Sequence, residues 1–279
     1  MAKIPQRKIH DYLRHDKKFP HVWCAGCSNG IVLGATIRAI DELKLNRDNI
    51  VMVSGIGCSS RMPVYVDFNT LHSLHGRGIA YATGVKMYKP GMKVIVITGD
   101  GDATAIGGNH FIHAARRNLD LTVILLNNNI YGMTGGQYSP ATPQGDKATT
   151  TPYGNIDPDF DICKLAIGAG ASHVARTTAF HALELQKQIK EALEHPGFSL
   201  VEAICACPVI YGRLNKKGDA PAMMRNMRDN SIPLKAAEKL PAEQVAGKIV
   251  RGTFIKEIRP EYTAAYKKLM DQFSPKEGE

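Results

Sequence analysis

The sequence predicts an α/β protein: a mostly parallel open sheet with helices on both faces, followed by a C-terminal extension. Short β-branched or Leu-rich runs alternate with stretches whose apolar residues recur at helical spacing, the rhythm of βαβ units. The strand-like runs are apolar nearly throughout, as strands covered on both faces are. They are also short and bounded by Gly or Asn, as in Lys93–Thr98 and Leu121–Leu126.

In chain order, residues 1–20 read as a polar, basic N-terminal arm. An α/β domain follows over 21–207. Its helices are expected at Ile31–Leu43, Gly78–Tyr88, Ala105–Asn118 and Ala179–His195, the last on the spacing of Phe180, Leu183, Ile189 and Leu193. Its strands are expected at Ile50–Val53, Lys93–Ile97, Leu121–Leu126, Ser172–Ala175 and Phe198–Ile204, with Pro196-Gly197 stopping the last helix. From Pro208 the βα rhythm is lost, and residues 208–279 gain Lys, Arg, Asn, Met and Pro. This extension keeps helical patterns near Pro233–Lys248 and Pro260–Phe273, and Ile210, Tyr211, Met223, Met224 and Leu240 suit docking on the domain or on a partner.

With 279 residues and 44% apolar content, the chain can build one large core plus an extension. No apolar run approaches the roughly 18 residues of a spanning helix, so no membrane segment is expected. Met1–Lys18 lacks the apolar stretch of a secretory signal, and a cytoplasmic location is the expectation. A net charge of +9 favours acidic partners. Without a basic run interleaved with aromatics, it does not point to nucleic acid. Six cysteines in a chain long enough to need no staples read as ligands rather than disulfides.

Gly99-Asp100-Gly101 directly follows one strand, and Asn127-Asn128 directly follows the next. Both lie at carboxyl ends of strands, where open α/β sheets bind ligands. Mg²⁺ takes six oxygens, so the Asp100 carboxylate, the Asn128 amide oxygen and a nearby backbone carbonyl leave room for two phosphate oxygens and water. Gly99 and Gly101 would let the backbone turn and approach the anion, and the helix Ala105–Asn118 would aim its N-terminus at it. The competing reading of Asn127-Asn128-Asn129 is a strand-ending turn, since Asn tolerates left-handed backbone.

Cys24-Ala25-Gly26-Cys27 precedes the first helix, Cys58 follows the first strand and Cys207 follows the last, which puts these thiols on one sheet edge. Four thiolates suit a structural Zn²⁺ or a 4Fe-4S cluster. A zinc ribbon usually has two Cys-x-x-Cys pairs, and Cys207-Pro208 matches the end of ferredoxin motifs, so the arrangement leans to iron–sulfur. Periodicity does not separate Cys205 from Cys207, because residues two apart on a strand share a face. Cys163 reads as a small buried hydrophobe.

Together these features resemble the beta subunits of the 2-oxoacid:ferredoxin oxidoreductases, with matches from Cys24 to about Pro208. The resemblance implies a thiamine-diphosphate-binding fold, with Asp100 and Asn128 as side-chain ligands of Mg²⁺ and Ile130 as carbonyl ligand. It implies that Ile56, Gly57, Cys58, Ser59, His75, Gly101, Asp102, Gly132 and Met133 contact thiamine diphosphate, and that Cys24, Cys27, Cys58 and Cys207 hold one 4Fe-4S cluster. His75 is preferred to His72 because Leu74-His75-Gly76-Arg77-Gly78 matches a family segment. In Tyr131–Gln137 the chain has Met133 and Gly135 where several relatives carry Leu and Lys. A substrate carboxylate must then be met elsewhere, for which Arg61 is the candidate.

The implied reaction is oxidative decarboxylation of a 2-oxoacid with coenzyme A and ferredoxin. The 2-oxoglutarate branch, giving succinyl-CoA, is favoured over pyruvate, branched-chain or aryl-pyruvate relatives. An alpha subunit should supply the rest of the cofactor site in an obligate heteromer, expected as a dimer of heterodimers. Two other readings are a non-redox thiamine decarboxylase or synthase subunit with structural zinc, and a non-catalytic electron-transfer protein that lost the cofactor.

Overall fold

The computed structural model describes residues 8–16 and 20–273. Helix α1 (Asn29–Glu42) leads into β1 (Ile50–Ser54) and a short β2 (Asn69–His72). Then come α2 (Gly78–Tyr88), β3 (Lys93–Gly99), α3 (Asp100–Thr104), α4 (Gly108–Arg116) and β4 (Thr122–Asn127). After a long loop follow α5 (Ile162–Gly168), β5 (His173–Thr178), α6 (Ala182–Glu194) and β6 (Ser199–Ile204). The extension holds α7 (Ala220–Asp229), β7 (Ser231–Pro233), α8 (Leu234–Ala237), α9 (Ala242–Val245), β8 (Ile249–Lys256) and α10 (Tyr262–Phe273).

The strands form one sheet in the order β2-β1-β3-β4-β6-β5-β8-β7. From β2 to β5 every pair is parallel, whereas β8 runs antiparallel to β5. Because side chains alternate across a strand, the apolar runs serve two cores. Ile50, Met52, Ile95, Ile97, Ile124 and Leu126 face α1 and α6, while Val51, Val53, Val94, Val96, Val123 and Leu125 face α2, α4 and α5. The chain leaves β1 toward β2 on one side and later leaves β3 toward β4 on the other, so the carboxyl ends of β1 and β3 flank a topological switch point.

Several expectations change. The helix read over Ala105–Asn118 breaks at Ala105, whose ψ of −101° ends α3, and α4 begins only at Gly108. The turn between them brings the chain so close that a Cβ on Gly107 would sit 2.3 Å from the Asp102 carbonyl oxygen. β2 escaped notice because it is half-exposed and polar. The helical pattern over Pro233–Lys248 resolves into the single turns α8 and α9, and helix α7, capped by Asp219 accepting from Ala222 N at 2.8 Å, was not anticipated.

The extension is not merely wrapped around the domain, since β8 joins the sheet. Tyr211 and Met223 are buried against Ile130 and Ala206, with Ile210 and Met224 packed beside them, while Leu240 stays exposed. Of the arm, Leu13 is buried and pairs with Val66, and Arg14 Nε donates to the Val66 carbonyl at 2.9 Å. Residues 1–7 and 17–19 of the arm lie outside the described residues. No helix among the described residues is long and apolar enough to cross a membrane.

Candidate active site

At the carboxyl end of β3, Gly99 passes the chain into α3, whose first residue, Asp100, is buried. One carboxylate oxygen, Oδ2, accepts from the Ser139 hydroxyl, which the long loop after β4 supplies. At the end of β4, Asn127 Oδ1 accepts from Asn129 N at 3.1 Å and Asn129 takes φ +62°, so Asn128 and Ile130 turn back toward Asp100. One terminal atom of the Asn128 amide stands 2.7 Å from the Ile130 carbonyl oxygen and 3.2 Å from Asp100 Oδ1.

As nitrogen, that atom donates to both; as oxygen, it completes a triangle of three acceptors with no proton between them. Adjacent oxygens around a magnesium ion with bonds of ~2.1 Å lie ~3 Å apart, so these spacings fit the ion. Charge agrees as well. Burial pushes the Asp100 carboxyl up to about 6, more than its hydrogen bonds hold it down, and the buried Glu202 charge adds to the rise. A cation would offset that cost.

These residues open on a cavity of about 470 Å³, in the ~300–1,000 Å³ range of ligand sites. Its walls include every residue that the resemblance assigned to the cofactor or to Mg²⁺: Ile56, Gly57, Cys58, Ser59, His75, Gly101, Asp102, Gly132, Met133, Asp100, Asn128 and Ile130. The glycines contribute otherwise than expected. Gly99 has an ordinary φ of −97°. At Gly101 a Cβ would sit 2.2 Å from Cζ of Tyr131, whose hydroxyl donates to the Gly101 carbonyl at 3.0 Å. Gly101 therefore makes room for a tyrosine.

Asp102 does more than line the wall. Its Oδ1 accepts from Gly76 N at 2.7 Å and Ile56 N at 3.3 Å, and meets His75 Nδ1 at 2.7 Å; its Oδ2 accepts from the Thr98 hydroxyl at 2.8 Å. The carboxylate clasps the loops after β1 and β2 to the end of β3. An ionised carboxylate only accepts, so His75 carries its proton on Nδ1 and keeps Nε2 free for another partner.

A second cavity of about 280 Å³ adjoins the first and is lined by Cys24, Cys27, Cys58 and Cys207, with Trp23 and Arg61. Gly26 takes φ +79° in the Cys-x-x-Cys turn. Ser28 Oγ accepts from Ala206 N at 2.9 Å, which ties that turn to the chain just before Cys207. Cβ on Gly132 would stand 3.5 Å from Cys58 Sγ and 3.8 Å from Cys207 Sγ, so both sulfurs converge on its backbone. Burial first, then the neighbouring thiols, pushes Cys27 and Cys58 up to about 11, and ligation would have to displace their protons.

Among the described residues no three His, Cys, Asp or Glu side chains are grouped to hold one metal ion. Four unpaired thiols around one cavity are a donor set that suits an iron–sulfur cluster. Cys205 is fully buried in the core behind them, and Cys163, buried as expected, also donates to Glu202 Oε2 at 3.2 Å.

Arg61, the candidate for meeting a substrate carboxylate, lines the thiol cavity and not the first one. Ser59–Val64 is a 3₁₀ helix capped by Cys58, and side chains three apart eclipse in that helix, so Arg61 lies over Cys58. Its positive charge opposes the rise of the Cys58 thiol. Sequence reasoning missed Ser139, Tyr131 and Trp23, whose Nε1 donates to the Cys58 carbonyl at 2.6 Å. The lone tryptophan beside Cys-x-x-Cys was a usable signal; Ser139 had none.

Residues 55–203, from the end of β1 into β6, match the family model described as thiamine pyrophosphate enzyme, C-terminal TPP binding domain. The 2-oxoglutarate synthase subunit KorB of Methanocaldococcus jannaschii is 49% identical over 261 residues, covering 94% of this chain and 96% of that one. The protein of the same name from Methanothermobacter marburgensis is 52% identical over 250 residues, covering 90% and 87%. The chain belongs to the KorB family of 2-oxoacid:ferredoxin oxidoreductase beta subunits.

Thiamine diphosphate is the cofactor of the matched domain, and the first cavity lies within the match apart from Asn29. Of the four clustered thiols only Cys58 falls inside it. A solved 2-oxoglutarate:ferredoxin oxidoreductase from Magnetococcus marinus, with 2-oxoglutarate, coenzyme A and succinyl-CoA bound, superposes with a TM-score of 0.86 at 34% identity. That match covers 100% of this KorB-family chain and 94% of the solved one, so the extension shares the fold of its relatives.

Proposed function

We propose that this chain, joined to an alpha subunit, carries out oxidative decarboxylation of 2-oxoglutarate to succinyl-CoA, with coenzyme A as acyl acceptor and ferredoxin as electron acceptor. Thiamine diphosphate and Mg²⁺ occupy the first cavity and one 4Fe-4S cluster the second. The observation that carries this reading is the shared wall: Cys58, Asn128, Gly132 and Met133 line both cavities. Groups bound on its two sides would be neighbours, which suits single-electron transfer between them.

When bound, thiamine diphosphate supplies the nucleophilic carbon and the electron sink for decarboxylation. Asp100 Oδ1, Asn128 and the Ile130 carbonyl would hold the metal, and His75 Nε2, on the far side of the ring from Asp102, would be available to donate to or accept from the bound cofactor. Ile56, Leu126 and Met133 give that cavity an apolar wall. Cys24, Cys27, Cys58 and Cys207 hold the cluster, with Trp23 bracing the Cys58 backbone. The 2-oxoglutarate specificity rests on the names of the relatives and the ligands of the solved neighbour.

Leu74 and Ile106 flank the His75-Gly76 segment with 64% and 51% of their surfaces exposed, which suits a site completed by an alpha subunit. The assembly is an obligate heteromer, a dimer of heterodimers, in the cytoplasm. The test is metal, cofactor and turnover analysis of the complex purified without oxygen. About four irons per chain, bound thiamine diphosphate, and CoA-dependent viologen reduction fastest with 2-oxoglutarate are expected. A colourless, zinc-bearing complex would overturn the cluster, and preference for pyruvate would overturn the substrate.

A further inference from the structure

The cation-binding turn is held from behind by a buried polar line that takes no part in the chemistry above. Glu202, on β6, is 1% exposed. Its Oε1 accepts from Asn127 Nδ2 at 2.8 Å, and its Oε2 accepts from Arg176 Nε at 2.6 Å and from the Cys163 thiol at 3.2 Å. Arg176 on β5 continues to Asp161 Oδ1 at 2.5 Å, and Asp161 caps α5 by accepting from Lys164 N. In the sheet Glu202 pairs with Leu125 and Ile204 with Asn127, so Leu125, Asn127 and Glu202 share one face.

The chemistry of the Asn127 link is directional. An amide presents either its oxygen or its nitrogen, but a carboxylate pinned by a guanidinium only accepts. Glu202 therefore obliges Asn127 to turn its nitrogen inward. Its oxygen then faces Asn129 N, the bond that builds the left-handed turn at Asn129 and aims Asn128 and the Ile130 carbonyl at Asp100.

We propose that Glu202 is a positioning residue for the divalent cation, acting through Asn127. This rests on reading Asp100, Asn128 and Ile130 as the cation site. A glutamine at 202 could donate to the Asn127 oxygen, free Asn129 N and loosen the turn. Loss of such an outer partner costs ~10–100-fold in metal affinity.

The test uses the chain purified with its partner subunit and measures Mn²⁺ binding by loss of its free-ion EPR signal, with thiamine diphosphate present. Glu202→Gln should weaken Mn²⁺ binding about tenfold or more while iron content stays near that of the unaltered complex, the unfolding midpoint falling because Arg176 loses a buried partner. Asn127→Ala leaves the Glu202–Arg176 pair whole and should show the same loss, so the proposal stays testable if Glu202→Gln does not fold. Cys163→Ala, in the same network but off the Asn127 link, should bind Mn²⁺ normally. If Asp100→Asn abolishes binding while the Glu202 and Asn127 variants bind normally, the site stands and the positioning role falls. If Asp100→Asn binds normally, the site itself is misplaced and the proposal falls with it.

Discussion

The clasp at Asp102 gives a sharp prediction, because Ala and Asn should differ there by several kcal/mol. Asp102→Ala removes all four bonds. Two of its donors are buried, Gly76 N and the Thr98 hydroxyl, and an orphaned buried donor costs ~1–3 kcal/mol. Ile56 N and His75 sit at the cavity and can turn to water, at ~0.5–1 kcal/mol each. The sum is about 3–8 kcal/mol. In Asp102→Asn the amide oxygen can replace Oδ1 for its three partners, while the new NH₂ donates to a rotated Thr98 hydroxyl. Only the charge is lost, for about 1–2 kcal/mol.

Hydrogen exchange of the complex, read on peptides spanning 54–60 and 72–78, reports the clasp directly. Asp102→Ala should speed exchange at Ile56 and Gly76 and lower the unfolding midpoint, and Asp102→Asn should leave both amides protected. Equal protection in both variants would refute the clasp. If Asp102→Asn instead lost thiamine diphosphate with its exchange unchanged, the residue would be a direct cofactor contact, as the family resemblance implied.

Gly101→Ala should displace the Tyr131 ring, since the new Cβ would lie 2.2 Å from Cζ, and should reduce thiamine diphosphate affinity in calorimetric titration with the fold kept. Gly132→Ala meets the two sulfurs only at ordinary contact distance, so the fold should survive while iron content falls; full iron loading would argue against a cluster in that cavity. Acid should destabilise the protein through His173. It is fully buried, neither ring nitrogen has a hydrogen-bond partner among the described residues, and burial, then the charges of His195 and Lys256, brings it down to about 4. A folded pKa below the unfolded ~6.5 gives stability that is whole above that pH and lost as pH falls toward 4, about 2 kcal/mol by pH 5. Urea unfolding at pH 7 and 5 should show that loss, reduced in His173→Leu.

The strands that carry the site were legible because burial on both faces leaves a short, near-continuous apolar run bounded by turn residues. Ile50–Ser54, Lys93–Gly99 and Thr122–Asn127 are covered along almost their whole length. β2 and β8 sit toward the sheet margins, half-exposed, and their sequences mix polar with apolar residues. β8 shows no alternation in Ile249-Val250-Arg251-Gly252-Thr253-Phe254, and Gly252 at φ +148° and the register shift opposite Val174 and Ala175 interrupt its pairing. A periodic helix can still be cut by tertiary contact, and this happens after Ala105, where Ile106 and Gly107 pass against Gly76.

The site was legible where its residues sit next to a strand end, because parallel strands deliver their carboxyl ends to one edge regardless of distance along the chain. That rule reaches Asp100, Asn128, Cys58 and Cys207, but it specifies position and not direction. The rule puts Arg61 on this edge but does not say which side of Cys58 it takes, since the 3₁₀ turn that aims it leaves no periodic trace over six residues. Ser139 reaches Asp100 from 39 residues away through a loop with no element to carry it. Glu202 reads in sequence as one polar residue inside an apolar strand, Leu200-Val201-Glu202-Ala203-Ile204. A carboxylate buried in such a run must have a cation and a donor waiting for it. That cost of burial, rather than any spacing, was the available sign that a polar line ran behind the cofactor edge.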